Sequence, residues 1–232
     1  MKFGPGHPLA YPVSVTIGAL VVCLAWAPFA DVDQLAALAT VTLGILGYTG
    51  FQLARALGRL PHGLADGNRA GSSGADRSNV RTIEIKRVRQ QHRLVSRSWL
   101  EITENYRTRW LPVFFEPGLL GMTETAAEVS DRAVDTATLH FYPSGKARTS
   151  EPPGRLIDNP SRPDPDAPDL AAESARVRRR LLLDAQSTVA APFVGLMWVY
   201  VAEGGFIAFL AAASVAAATA IWLAAVRGSD PS

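Results

Sequence analysis

Residues 206–226 read FIAFLAAASVAAATAIWLAAV, 21 residues without a charge, closed by Arg227. As an α-helix this run covers about 30 Å, the thickness of a bilayer hydrocarbon core. Immediately before it, Glu203-Gly204-Gly205 separates it from a second apolar run, Ser187 to Ala202. The other end of the chain repeats the arrangement. Tyr11 to Ala30 carries no charge, Asp31-Val32-Asp33-Gln34 interrupts, and Leu35 to Ala54 is again free of charge. The pattern predicts an α+β membrane protein. Four transmembrane helices form two hairpins, residues 11–57 and 170–227, flanking a small antiparallel β-rich cytoplasmic domain.

The composition fits that division. Over 232 residues, 48% are hydrophobic and 19% charged, with mean hydropathy +0.10 and a formal net charge of +2. A soluble domain carries about a quarter charged residues. The single cysteine, Cys23, excludes a disulfide framework and any multi-cysteine metal or iron–sulfur site. The 20 arginines against three lysines reflect coding bias more than function.

The third helix has the shortest apolar run. Extended backwards it takes in Leu181-Leu182-Leu183, with Asp184 near an interface or against a neighbour. The absence of breakers from Ala171 to Arg180 predicts one helix running from an N-cap at Asp169 into the membrane. Arg178, Arg179 and Arg180 would then snorkel to headgroups, and Trp198 and Trp222 would anchor at interfaces. Near the start, Ala25-Trp26-Ala27 has the small residues of a cleavage site, but Pro28 follows directly, so the first hairpin is expected to be retained.

Orientation follows from the basic residues nearest the spans: Lys2, Arg55, Arg59, Arg69, Arg77, Arg176, Arg178, Arg179, Arg180 and Arg227. The two short hairpin loops hold only Asp31, Asp33 and Glu203. The positive-inside rule places both termini and the central region in the cytoplasm of a multi-pass plasma (inner) membrane protein.

Residues 58–79, rich in glycine and containing Gly71-Ser72-Ser73-Gly74, read as a flexible linker. Residues 80–150 carry strand patterning. Val80 to Ile85, Ser98 to Thr103, Arg109 to Phe115 and Thr136 to Tyr142 are the clearest runs, and Pro112 argues for an edge strand or a bulge. Residues 151–169, with Pro152, Pro153, Pro160, Pro163, Pro165 and Pro168, read as an extended Pro-rich linker. Arg77 to Arg109 has a local charge of +6 and Trp110 to Glu173 one of −6, which suggests solvated strand charges pairing across the two halves.

No catalytic, cofactor-binding or metal-binding residues are expected. His7, His62, His92 and His140 lack the spacing of helix-borne ligands, and no phosphate-cradling loop or nucleophile elbow is present. Glu101, Glu116 and His140 are the nearest to catalytic candidates and read as surface residues. Close packing is the stronger signal. Ala208, Ala212, Ala216, Ala220 and Ala224 recur every four residues along the last helix, and Gly50, Ala54 and Gly58 do so on the second. Such small-residue faces let backbones approach, within the bundle or with a partner.

Three segments carry a resemblance: Arg109-Trp110-Leu111-Pro112-Val113-Phe114-Phe115-Glu116-Pro117, His140-Phe141-Tyr142-Pro143-Ser144-Gly145, and Arg180-Leu181-Leu182-Leu183-Asp184-Ala185-Gln186. With the hairpin–β-domain–hairpin architecture, they resemble the lipid uptake coordinator proteins of actinobacteria. That resemblance implies a non-catalytic accessory subunit that stabilises or regulates a mammalian-cell-entry (Mce) lipid import complex. The partners would be membrane lipids and the permease or substrate-binding subunits of such a complex, with no nucleic acid. The alternative reading is a self-assembling membrane adaptor with a small cytoplasmic β-barrel.

Overall fold

The structure, a computed structural model, describes residues 7–64, 80–162 and 164–232. Most of the stretch read as a flexible linker, residues 65–79, lies outside them, as do Lys2, Arg69, Arg77 and Pro163. The fold is α+β: four long apolar helical stretches and a curled antiparallel half-barrel.

Helix α1 (Ala10–Trp26) leads through a 3-10 turn at Pro28 into α2 (Val32–Ala56). Asp31 caps α2 by accepting from the Gln34 amide at 2.8 Å. At the other end Gly58 takes the left-handed conformation (φ 68°), the Gly58 amide reaching Arg55 and the Arg59 amide Ala54. A Cβ at Gly58 would come within 2.8 Å of the Arg132 carbonyl, so this position tolerates only glycine.

The half-barrel is built from β1 (Arg81–His92), β2 (Val95–Glu104), β3 (Arg107–Val113), β4 (Thr125–Val129), β5 (Val134–Asp135) and β6 (His140–Phe141), with β7 (Arg155–Asp158) against β1. The sheet order is β3-β2-β1-β4-β5-β6. Bridges Trp110–Arg148 and Val113–Pro143 stitch the β3 edge to the chain leaving β6. Pro112 thus sits on the edge strand, with its carbonyl accepting from the Ser144 amide at 2.8 Å. The β2–β3 turn places Asn105 and Tyr106 both at positive φ, the twist a two-residue hairpin requires. Strand alternation sends Ile85, Leu100, Ile102, Leu111 and Val113 inwards, where they pack with Leu119, Val129, Val134 and Phe141.

Two segments read as linkers are partly ordered against the sheet. Residues 58–64 dock on the β4–β5 turn: the His62 amide donates to Asp131 at 2.9 Å and the His62 carbonyl accepts from Ala147 at 2.8 Å. Leu64 joins the core. In residues 151–169, β7 pairs with β1 across a bulge at Arg89/Gln90. By contrast, residues 136–139, expected in a strand, form a turn in which Thr136 Oγ1 accepts from the Leu139 amide at 3.0 Å.

The single helix expected from Asp169 is replaced by three. Helix α3 (Ala167–Ser174) begins three residues after Asp164, with Asp166 before it. Arg176 then turns extended (ψ 123°), and α4 (Val177–Asp184) follows. A 3-10 stretch, Ala185–Ala190, leads to α5 (Ala191–Ala202). Ser187 and Thr188 bond back to the Asp184 and Ala185 carbonyls at 2.6 and 2.8 Å, and Pro192 supplies no amide, so the helical ladder tightens there. Helix α6 (Phe206–Val226) completes the bundle. Among the described residues four stretches, Ala10–Phe29, Val32–Ala56, Val177–Ala202 and Phe206–Val226, are long and apolar enough to cross a membrane.

His62 is fully buried, and burial pulls its imidazole below the ordinary value. Its neutral form is favoured in the fold, so this contribution to stability is present above pH 6.5 and is lost as pH falls through the depressed folded value. Thermal unfolding in detergent should show a midpoint ~3 °C lower at pH 5.5 than at pH 7.5. His62→Gln should flatten that difference; an unchanged pH profile in the variant would refute the assignment.

Candidate functional site: a small-residue cleft above a buried ionic joint

Helix α6 is central to the bundle, packing against α1 on one side and α5 on the other. Indole hydrogen bonds tie α1, α2 and α6 together: Trp26 Nε1 donates to Ser214 Oγ at 2.7 Å and Trp222 Nε1 to Thr49 Oγ1 at 2.9 Å. Helix α5 is held differently. Gly195 lies so close to α6 that a Cβ there would stand 3.0 Å from the Phe209 carbonyl oxygen.

Between α5 and the α1–α2 side a cleft of about 660 Å³ opens onto α6. Ala208, Ala212, Ala216 and Ala220 line it, with Trp26 and Phe29 at one edge and Val194 and Trp198 at another. Four members of the expected small-residue stripe therefore share one apolar cleft. Ala224 lies buried beyond it. Gly50 faces outwards, with nothing within 4 Å of a Cβ built on it, and Ala54 is half-buried; neither borders the cleft.

Two expected interfacial anchors lie inside the protein instead. Trp222 is 5% exposed, edge-on to Tyr48 and bonded to Thr49, so its indole serves helix packing. Arg180 is equally enclosed: its guanidinium lies 3.9 Å from the Tyr11 ring centroid and 5.5 Å from that of Phe115. Arg179 donates to the Pro231 carbonyl at 3.2 Å and pairs with Glu173, while Arg178 is exposed.

Below the helices lies a buried polar joint with no local trace in the sequence. Arg87 follows Ile85 by two residues and so shares its inward face. The side chain is 1% exposed. Its Nη2 donates to Asp230 Oδ2 at 2.8 Å and to Ser232 Oγ at 2.8 Å, its Nε to Ser98 Oγ at 3.0 Å, and its Nη1 to Asp158 Oδ2 at 3.3 Å. Ser98 Oγ also donates to Asp230. Burial alone would raise the Asp230 carboxyl, but Arg87, Ser98, Ser232 and Arg89 hold it below the usual range. Next to it, Asp184 Oδ2 accepts from Tyr11 Oη at 2.6 Å and from Ser229 Oγ at 2.9 Å. Asp184 is thus level with the start of α1 and the end of α6.

The three segments that carried the resemblance converge here. The Phe114 amide donates to the Tyr142 carbonyl at 2.8 Å, Val113 bridges Pro143, and Arg180 stacks on Phe115. Leu9, Ala56 and Phe114 form the apolar seam between helices and sheet, and Gln52 Nε2 bonds the Ser144 carbonyl at 2.9 Å.

The residues nearest to catalytic candidates are dispersed. Glu101 pairs with Lys86 at 3.4 Å. Glu116 is half-buried and burial pushes its carboxyl up, opposed by His140. His140 bonds Asp135 and stands edge-on to Tyr142, whose hydroxyl lies 3.2 Å from His7 Nε2. Across the charge halves, Arg87–Asp158 is a pair of the expected kind, whereas Arg81–Glu104 and Lys86–Glu101 lie within the basic half. Among the described residues no group of three or more His, Cys, Asp or Glu could hold a metal ion. No family model, curated protein or solved structure matches the chain.

Asp230→Asn leaves Arg87 buried without its main counter-charge and should cost about 3–5 kcal/mol. Thermal unfolding of the purified chain checks this. The double variant Arg87→Met/Asp230→Leu should recover most of the loss; a variant as stable as wild type with Asp230→Asn alone would overturn the account.

Proposed function

We propose that this chain is a non-catalytic integral-membrane accessory subunit that associates with a multi-subunit lipid import complex of the Mce type, stabilising or regulating it. In this reading the four apolar stretches span the plasma membrane, both chain ends and the half-barrel lie in the cytoplasm, and a transmembrane helix of the larger complex enters the cleft. The observation that carries the reading is the apolar cleft floored by Ala208, Ala212, Ala216 and Ala220. In lipid, hydrophobic burial gives little drive to helix association, and close backbone approach over small residues takes its place. A floor of alanines offers that approach on a helix whose opposite sides are already used.

Support for the particular class of complex comes from the resemblance of three segments, which meet at the joint between helices and half-barrel. A subunit built this way links an intramembrane contact to a cytoplasmic domain through a rigid seam. The arrangement suits a stabilising or regulatory role, with the half-barrel presented to the cytoplasmic face of the complex.

Gentle detergent extraction of the tagged full chain, with mass spectrometry of what co-purifies, tests this. Wild type should bring down lipid-transport subunits. Ala216→Phe, which fills the cleft from its floor, should reduce that yield about tenfold while leaving the unfolding midpoint unchanged. Recovery of a symmetric homo-oligomer without foreign subunits would instead favour the self-assembling adaptor.

A further inference from the structure

At the end of α6 the backbone brings together two arginines, Arg97 and Arg227, that have no carboxylate partner among the described residues. Arg97, on β2, is bridged through its backbone to Ser229, two residues past Arg227. Arg227 Nε donates to the Tyr48 hydroxyl at 3.3 Å, and its guanidinium lies 5.9 Å from the Tyr48 ring centroid. Tyr48 is fixed in turn by its edge-on contact with Trp222, ring centroids 5.9 Å apart. The bridge to Ser229 sets Arg97 beside the short segment that begins with Arg227.

Neither guanidinium takes part in an ion pair among the described residues. The contrast with Arg87, on the neighbouring strand, is instructive: that residue is met by two carboxylates and two hydroxyls. Arg97 is mostly enclosed, and both burial and the charge of Arg227 press its guanidinium below its usual basicity. Two like charges held together in a partly dry position are relieved by an anion whose oxygens can be bonded by both forks.

The position selects the anion. Arg227 is the first charge after 21 uncharged residues, so where α6 crosses a bilayer the pair stands at headgroup depth. We propose that Arg97, Arg227 and Tyr48 hold the phosphate of an anionic lipid headgroup at the half-barrel end of the bundle. The proposal rests on the membrane reading of the helices and is independent of any protein partner. Arg227 is exposed and can meet the lipid first; Arg97, more enclosed, reads the phosphate from the sheet side, with the Tyr48 hydroxyl free to rotate and donate to it.

Native mass spectrometry of the detergent-purified full chain, with added phosphatidylglycerol or phosphatidylcholine, tests this. Wild type should retain phosphatidylglycerol preferentially. R227Q, at an exposed position that the fold tolerates, should retain about fivefold less, and R97Q/R227Q less again, with R227K, which keeps the charge and loses the fork, between wild type and R227Q. An unfolding melt confirms that R227Q is folded, so that variant carries the test even where the double variant fails to fold. Equal retention of the two lipids by wild type, or undiminished phosphatidylglycerol on R227Q, would overturn the proposal. Complete displacement of the lipid by low-millimolar inorganic phosphate would assign the site to free phosphate and overturn the lipid. Loss of co-purifying subunits without loss of lipid retention would bear on the partner alone.

Discussion

A guanidinium inside the half-barrel sets the terms for the rest of the molecule. Strand alternation puts Arg87 on the inward face two residues after Ile85, opposite Leu100. An isolated buried charge costs several kcal/mol, so the fold must bring counter-charges to it. They come from far along the chain: Asp158 from the Pro-rich return and Asp230 from beyond α6, 143 residues from Arg87. One inward arginine thereby requires both that the Pro-rich segment fold back on β1 and that the last helix end beside the sheet. Asp184 extends the joint to the first helix through Tyr11 and to the same following segment through Ser229.

The helices answer to a different constraint. They bury little of their surface in the protein, and polar groups between them are few: Trp26 to Ser214, Trp222 to Thr49, and Thr16 beside Thr49. These fix α1, α2 and α6 as one unit. Helix α5 is attached through the Gly195 contact and the turn at Gly204 and Gly205, and the cleft opens along its free side. The polar joint thus organises one end of the bundle, while small residues leave room at the other.

How much of this could be read from the residues depends on whether the deciding interaction is local. Four apolar runs are a property of consecutive residues, and they appear where the sequence places them. Alternation likewise exposes β1, β2 and β3. Strand β4, Thr-Ala-Ala-Glu-Val, has little strand character of its own and exists through its ladder with β1; β7 is similar, with Leu156 and Ile157 left exposed. The positions of Trp222 and Arg180 near helix ends suggest lipid contact, whereas Thr49, Tyr11 and Phe115, distant in sequence, decide their surroundings. The alanine stripe was visible; that four of its members floor an open cleft depended on where α2 and α5 come to lie.

The threading of Gly228–Ser232 into the sheet has a consequence for the order of synthesis. A ribosome makes β1 long before it makes α6, so the half-barrel emerges with Arg87 lacking its nearest acid. Until α6 is in place and Asp230 follows it, the nascent domain has only the more exposed and longer Asp158 pair to set against its interior charge. The sheet can reach its final stability only after the last hairpin has been laid down, so completion of the half-barrel reports that the helices are assembled.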